Sequence, residues 1–183
     1  MDKKQRLMYH TQEHRDAKLN APIICCRDDA WLGEAYYFWK DLEDADRWGE
    51  TSKNRTGKYE IYQAEIDCEN ILDTVFNEEH YSFWLKQIEK AAKSLMKKTG
   101  QKPTLKEVNE YFKERAIWDE VDGILFQDLP SNENFLLIKP IEYRKNNKIR
   151  KVSFPYRKRI QLAAYNLTIV RNFAQLKVKS CTF

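Results

Sequence analysis

Between residues 78 and 117 the chain carries a helical rhythm, and on both sides of that stretch the rhythm is that of strands. Tyr81, Trp84, Ile88, Ala91, Ala92 and Leu95 recur every three or four residues, so they share one helical face, and Gly100 stops the pattern. "TLKEVNEYFKERA" opens a second helix with a capping box from Thr104 to Glu107. Upstream, "RLMYHT", "APIICC" (a buried run) and "AYYFW" read as strands, and Asp41 caps a short helix running through Trp48. "KYEIYQAEID", residues 58–67, is apolar on both faces, as a central strand would be. Downstream, "VDGILFQD", "ENFLLIKPIEY", "IRKVSFPY" and "RIQLAAYNLTIV" are strand-like again. Strands, then helices, then strands predict an α+β domain rather than alternating βαβ units. No repeat or low-complexity linker divides the chain, so residues 1–183 form one domain with a helical insertion at about 78–117.

The "AYYFW" strand and the short helix after it crowd into "WLGEAYYFWKDLEDADRWGE", Trp31–Glu50, where aromatic rings are interspersed with acids. Leu42, Ala45 and Trp48 fall on one helical face and staple that helix to a core. Tyr37, just past the Gly33 turn, is free to serve as a platform for a planar ligand. Phe38 and Trp39 alternate, so one faces the core and the other borders the platform. Tyr81, Trp84, Trp118 and Phe126 read as core residues.

A hydrophobic content of 42% with five Trp, ten Tyr and nine Phe belongs to a folded globule. No apolar run approaches the roughly 18 residues of a membrane helix, and "MDKKQRLMYH" lacks the apolar segment of a secretory signal. A cytoplasmic protein with no membrane partner is expected. Cys25 and Cys26 are adjacent and Cys68 and Cys181 stand alone, so neither a zinc knuckle nor a disulfide framework is indicated, and all four read as buried small hydrophobes.

The net charge of +4 conceals a polarity. Residues 139–183 hold 12 of the 32 Lys and Arg but one of the 28 acids, Glu142. Such a basic quarter either attracts nucleic acid or forms the solvated face of a sheet.

The five glycines, at 33, 49, 57, 100 and 123, fit neither a dinucleotide fingerprint nor a P-loop. "HTQEH", His10–His14, matches the inverted zinc-protease pattern, with Glu13 as base, but its surroundings are extended and polar rather than an amphipathic helix, so no metal is expected. His10 alone ends an apolar strand, where its ring either is satisfied by neighbours or holds a ligand hydroxyl.

"LMYHT", "GEAYYFWKDLEDADRWG" and "RIQLAAYNLTIV" together resemble the three signature segments of the ADP-ribosyltransferase fold, in the histidine–tyrosine branch that contains diphtheria toxin and the poly-ADP-ribose polymerases. "GILFQD" falls where many members have an apolar strand. The resemblance implies a split antiparallel β-sheet with flanking helices and NAD as substrate. His10 would hold the 2′-hydroxyl of the nicotinamide ribose, and Thr11 would offer its backbone beside the nicotinamide amide. Tyr37 would stack on the nicotinamide ring, with Tyr36 as the alternative register, and Gln161 would take the third position. Phe38 would border the NAD site, and Arg27, just after the second strand, would meet the phosphates.

Gln161 departs from the Glu found in many active members, since an amide accepts a hydrogen bond but cannot act as a base. Its position also fits simple alternation with Ile160, Leu162 and Ala164. Glu13, Glu34 and Asp128 are the candidate substitute carboxylates. The function implied is mono-ADP-ribosyl transfer from NAD to a macromolecule, with nucleic acid preferred over protein because of the basic quarter. Small bacterial and phage members of this fold are often toxins or conflict effectors, which implies an antitoxin as a possible partner. A nucleic-acid-binding module without catalysis and a zinc hydrolase using "HTQEH" are the rival readings.

Overall fold

A computed structural model describes residues 5–53, 55–115, 119–128, 141–145, 148–152 and 158–181, with 141–152 described by their backbone alone. The first strand, β1 (Gln5–Glu13), is followed by β2 (Tyr36–Trp39) and helix α1 (Leu42–Ser52). Then come β3 (Lys58–Asp67), β4 (Ile71–Asp73), α2 (Glu78–Thr99) and α3 (Leu105–Glu114). The remaining strands are β5 (Gly123–Asp128), β6 (Ile141–Lys145), β7 (Lys148–Val152), β8 (Arg159–Ala164) and β9 (Val170–Ser180). The fold is α+β. Among the described residues no helix is long and apolar enough to cross a membrane.

Seven strands form one sheet in the order β4-β5-β8-β2-β1-β3-β9, and β6 and β7 form a separate antiparallel pair. The sheet is mixed, because β4 runs parallel to β5, which corrects the purely antiparallel expectation. The α2–α3 stretch between those two strands is the crossover that a parallel pair requires.

The sheet has a seam. β1 pairs with β3 through nine residues, Gln5↔Asp67 to Glu13↔Tyr59, but with β2 only at Tyr9↔Trp39. β2 in turn pairs along its whole length with β8. The molecule therefore has two half-sheets, β4-β5-β8-β2 and β1-β3-β9, joined at one residue pair.

Helices cover one face of both halves. Ala45 of α1 is fully buried against Trp39, Tyr59 and Ile61, with Leu42 and Trp48 at the edge of that cluster, so the staple forms as its spacing implied. Asp41 takes the N-cap position of α1 but makes no side-chain cap bond. On the other half, α2 and α3 pack Ala91, Val108 and Phe112 onto Ile124, Phe126 and Ala163. Gly100 ends α2 in the left-handed region, and the Thr104–Glu107 capping box is present. The second face carries Met8, Phe38, Ala64, Ile66, Leu125, Ile160 and Leu162 in one cluster drawn from both halves.

Several expectations fail locally. Ala21–Cys26 forms no strand beyond an isolated bridge between Cys25 and Ala35, because the segment borders the cleft described below instead of entering the sheet. For the same reason Cys26 is exposed and Cys25 half-buried, and Cys68 and Cys181 are also only half-buried. "RIQLAAYNLTIV" is two strands rather than one: Asn166 accepts from the Thr168 N–H and caps a 3-10 turn at Leu167–Ile169. Tyr81 lies on the solvent side of α2 and is exposed. β4 and β9 went unanticipated. Trp118 and all the residues between β5 and β6 lie outside the described residues.

Candidate functional site

Where the half-sheets part, the helix-covered face holds a cleft of about 480 Å³, within the ~300–1,000 Å³ usual for small-molecule sites. Its floor follows from register. Side chains of directly paired residues lie on the same face of a sheet. Tyr9↔Trp39, Trp39↔Gln161 and Gln161↔Phe126 thus align four strands, and alternation adds Thr11, Tyr37, Arg159 and Asp128 to that face. Thr11, Tyr37, Trp39, Phe126, Asp128, Arg159 and Gln161 all line the cleft, and so does His10.

His10 reaches the cleft from the opposite side of β1, and it does so through the seam. Past Tyr9↔Trp39 the β1–β2 ladder stops, and the imidazole Nδ1 meets the Tyr37 carbonyl at 2.9 Å. A carbonyl oxygen only accepts, so Nδ1 carries the hydrogen and donates it. Burial pushes the pKa of His10 down to about 4, against the Tyr37 carbonyl, while the nearby charge of Lys53 lowers it further. At neutral pH the ring is therefore uncharged with a lone pair on Nε2. That nitrogen is buried, and it has no hydrogen-bond partner among the described residues. The two rings that pack nearest, Phe38 at 5.5 Å and Phe173 at 6.1 Å between centroids, offer no hydrogen-bond donor.

Aromatic rings make the walls. Tyr37 is half-buried, meets Phe126 edge-on at 6.5 Å, and donates its hydroxyl to the Gly33 carbonyl at 2.9 Å. Burial drives its phenol well above the ordinary range, so the ring is neutral at any working pH. Trp39 and Trp48 sit 5.9 Å apart, and the Arg159 guanidinium lies 4.8 Å over the Trp39 ring. Trp31, 42% exposed, stands on the rim.

Charge in the cleft is nearly paired. Arg159 bridges Asp128 at 2.9 Å, and Arg27 forks onto Asp29 at 2.8 and 2.6 Å. Burial pushes the Asp128 carboxyl up, Arg159 pulls it down, and Asp44 pushes it up again, for a net rise. Lys53 is the remaining cation, half-buried just past α1.

The expected residues thus separate. His10, Thr11, Arg27, Tyr37 and Gln161 meet in the one cleft although they span most of the chain. Thr11 spends its hydroxyl on the Ala45 carbonyl at 2.8 Å, which ties β1 to α1. Phe38 does not reach the cleft: it is fully buried in the cluster on the other face, so its place beside a ligand is corrected, and Trp39 is the residue of that pair that borders the cleft. Tyr36 packs against the same cluster as Phe38, which leaves Tyr37 at the site.

Of the substitute carboxylates, Glu34 lies outside the cleft lining beside Lys113, and Glu13 accepts from the Thr56 N–H and hydroxyl at 2.8 and 3.1 Å. Asp128 alone lines the cleft. In "HTQEH", Glu13 points to the face opposite His10 and His14. His14 Nδ1 is held 2.7 Å from the buried Glu60 carboxylate, which also accepts from Tyr62. Among the described residues no three His, Cys, Asp or Glu side chains gather as metal ligands.

Sequence reasoning missed Lys53 and Arg159. Arg159 was within reach, two residues before Gln161 on an alternating strand. Lys53 stands in the polar run "ETSKNRTGK", where no periodicity marks it. No protein-family model, no curated protein and no solved structure matches the chain.

Proposed function

We propose that this chain is a mono-ADP-ribosyltransferase on the ADP-ribosyltransferase fold, moving ADP-ribose from NAD to a macromolecular acceptor and releasing nicotinamide. The observation that carries the reading is His10: a neutral, buried ring at the seam, donor on one side and unused acceptor on the other, in the same cleft as Tyr37 and Gln161. A ligand hydroxyl is the natural complement of that Nε2 lone pair. The split sheet, the three motif-bearing strands meeting at the split, and the aromatic walls all fit the resemblance.

The chemistry follows from these groups. The carbon–nitrogen bond to nicotinamide breaks with its electron pair leaving on the ring nitrogen, and positive charge develops at the anomeric carbon. His10 fixes the ribose hydroxyl, Tyr37 packs the pyridinium ring, and the Gln161 amide oxygen lies on the same floor as an acceptor for the sugar. The acceptor's oxygen or nitrogen then supplies the pair for the new bond, and its proton passes to a base. Gln161 cannot take that proton, so the base is Asp128, whose carboxyl burial favours protonation.

A nucleic-acid acceptor remains preferred, though on fewer residues. Arg159, Arg171, Lys177 and Lys179 are tied to Asp128, Asp67 and Asp46, so three of the four charges on the sheet part of the basic quarter are neutralised internally. The other eight Lys and Arg lie in residues 139–158. That stretch belongs to the connection that leaves β5 at Asp128 and re-enters the sheet at Arg159, both at the cleft. A toxin or defence role with an antitoxin partner rests on the resemblance alone.

The test is incubation of the purified chain with NAD labelled in its adenylate and with a cell lysate, followed by separation of protein and nucleic-acid pools. Label in one pool with stoichiometric free nicotinamide is expected, and His10→Ala should abolish both. Label in neither pool and no nicotinamide refutes the reading, and salt-dependent nucleic-acid binding without turnover would replace it with a non-enzymatic binding module.

A further inference from the structure

The two arginines that line the cleft are each matched by a carboxylate, Arg27 by Asp29 and Arg159 by Asp128. Lys53 is not: among the described residues no carboxylate lies within ion-pair distance of its ammonium. It is nevertheless half-buried, and burial lowers its pKa, with the charges of Arg27 and Arg55 adding to the effect and those of Cys25 and Glu13 opposing it. An ammonium held out of water without a counter-charge is unfavourable unless something arrives to compensate it. Lys53, Arg27 and His10 all line the one cleft.

We propose that Lys53, with Arg27 beside it, forms a phosphate subsite at the mouth of the cleft that takes the diphosphate of the ligand whose ribose meets His10. The proposal rests on the transferase reading for the identity of that ligand, but the cation site itself does not. Three features favour a diphosphate over a simple carboxylate. The Arg27 fork presents two parallel donors already arranged for a planar or tetrahedral oxyanion, and Asp29, 66% exposed, can yield it to solvent-facing ligand oxygens. Lys53 adds a point charge that a second phosphoryl group would meet. The chain has no glycine-rich cradle, so side-chain cations must do what backbone N–H groups do elsewhere. Charge balance agrees: a doubly negative diphosphate carrying a pyridinium ring is left with one net negative charge, and among the described lining residues Lys53 is the one unmatched cation.

The experiment measures binding to the full chain at low salt by calorimetry, with inorganic pyrophosphate, NAD, nicotinamide and a single-stranded oligodeoxynucleotide as probes. Wild type, Lys53→Met, Lys53→Arg and Arg27→Gln are compared, and thermal midpoints check folding. Pyrophosphate is expected to bind the wild type. Lys53→Met should lose at least tenfold for pyrophosphate and for NAD, with nicotinamide unchanged, and Lys53→Arg should recover most of the loss. If Lys53→Met does not fold, Lys53→Arg and Arg27→Gln carry the comparison. Equal pyrophosphate affinity across the variants, or none in the wild type, overturns the proposal. Weakened oligonucleotide binding with unchanged NAD affinity also overturns it, by assigning the cations to an acceptor's backbone. Pyrophosphate binding lost in Lys53→Met, in a protein that never binds NAD, would uphold the subsite while refuting the transferase reading. NAD turnover with an unaltered KM in Lys53→Met would do the reverse.

Discussion

Lowering the pH from 7 to 5 should remove about 2 kcal/mol of native-state stability through His10 alone. The unfolded ring titrates near 6.5, whereas burial holds the native ring near 4. Between those values the unfolded chain binds a proton that the native state does not, so stability rises with pH across the window and is lost as pH falls through it. At pH 7 neither state is much protonated and the term is close to zero. At pH 5 the unfolded ring is almost fully charged while the native one remains mostly neutral, which gives the figure above. The assay is urea denaturation at both pH values for the wild type and for His10→Gln, whose amide N–H can still donate to the Tyr37 carbonyl. Other acid-sensitive groups, such as Asp46 under Lys177, Lys179 and Tyr59, contribute equally to both proteins and cancel in the difference. The variant should therefore be less sensitive to acid by about 2 kcal/mol. An identical loss in both proteins would mean that His10 titrates normally, and the argument for a neutral Nδ1–H tautomer with a free Nε2 would fail with it.

Tyr37→Phe should keep NAD affinity within about threefold, while Tyr37→Ala should lose tenfold or more, because the ring and not the hydroxyl forms the wall; nicotinamide binding followed by fluorescence separates the two. Asp128→Asn should lower transfer to the acceptor by roughly 100-fold or more and leave NAD affinity unchanged, as loss of a general base requires; rapid-quench transfer assays beside equilibrium binding read this split, and a parallel loss of affinity would refute the role. Gly49→Ala should destabilise the fold by about 2 kcal/mol, roughly 4–8 °C in Tm, because a Cβ there would lie 2.2 Å from the Tyr59 ring, which is fully buried and hydrogen-bonded to Asp46. An unchanged melting point would show that the α1–β3 contact is looser than described.

Much of this architecture was legible in the sequence where one physical signal dominated. The strand at Lys58–Asp67 has apolar residues on both faces because both are covered, Tyr59 and Ile61 beneath α1 and Ala64 and Ile66 in the opposite cluster, and its limits were readable to the residue. The α2 stripe ended where Gly100 permits a left-handed turn, and Thr104 with Glu107 wrote the start of α3. β9 was invisible for the opposite reason. Its "VRNFAQLKVKS" is an edge strand with lysines and exposed Leu176 and Val178, so no clean alternation separates it from a loop. "APIICC" has the composition of a buried strand but closes the side of a cleft, a tertiary role that composition does not encode. His10, Tyr37 and Gln161 could be named from three short motifs, but which side of the sheet each addresses depends on the seam. Alternation along β2 sends Phe38 into the core, and the break in the β1–β2 ladder lets His10 through.

The strand order also bears on how the chain reaches this state. β3 is flanked by β1 and β9, the first and last of the nine strands among the described residues, and Lys58 pairs with Ser180. The half-sheet bearing His10 is not complete until β9 has left the ribosome. Contacts of such long sequence separation make for slow, late folding, and the cleft is assembled from strands of both halves. The site around His10 would then settle only after residue 180 has been made, long after the strand that carries His10 itself.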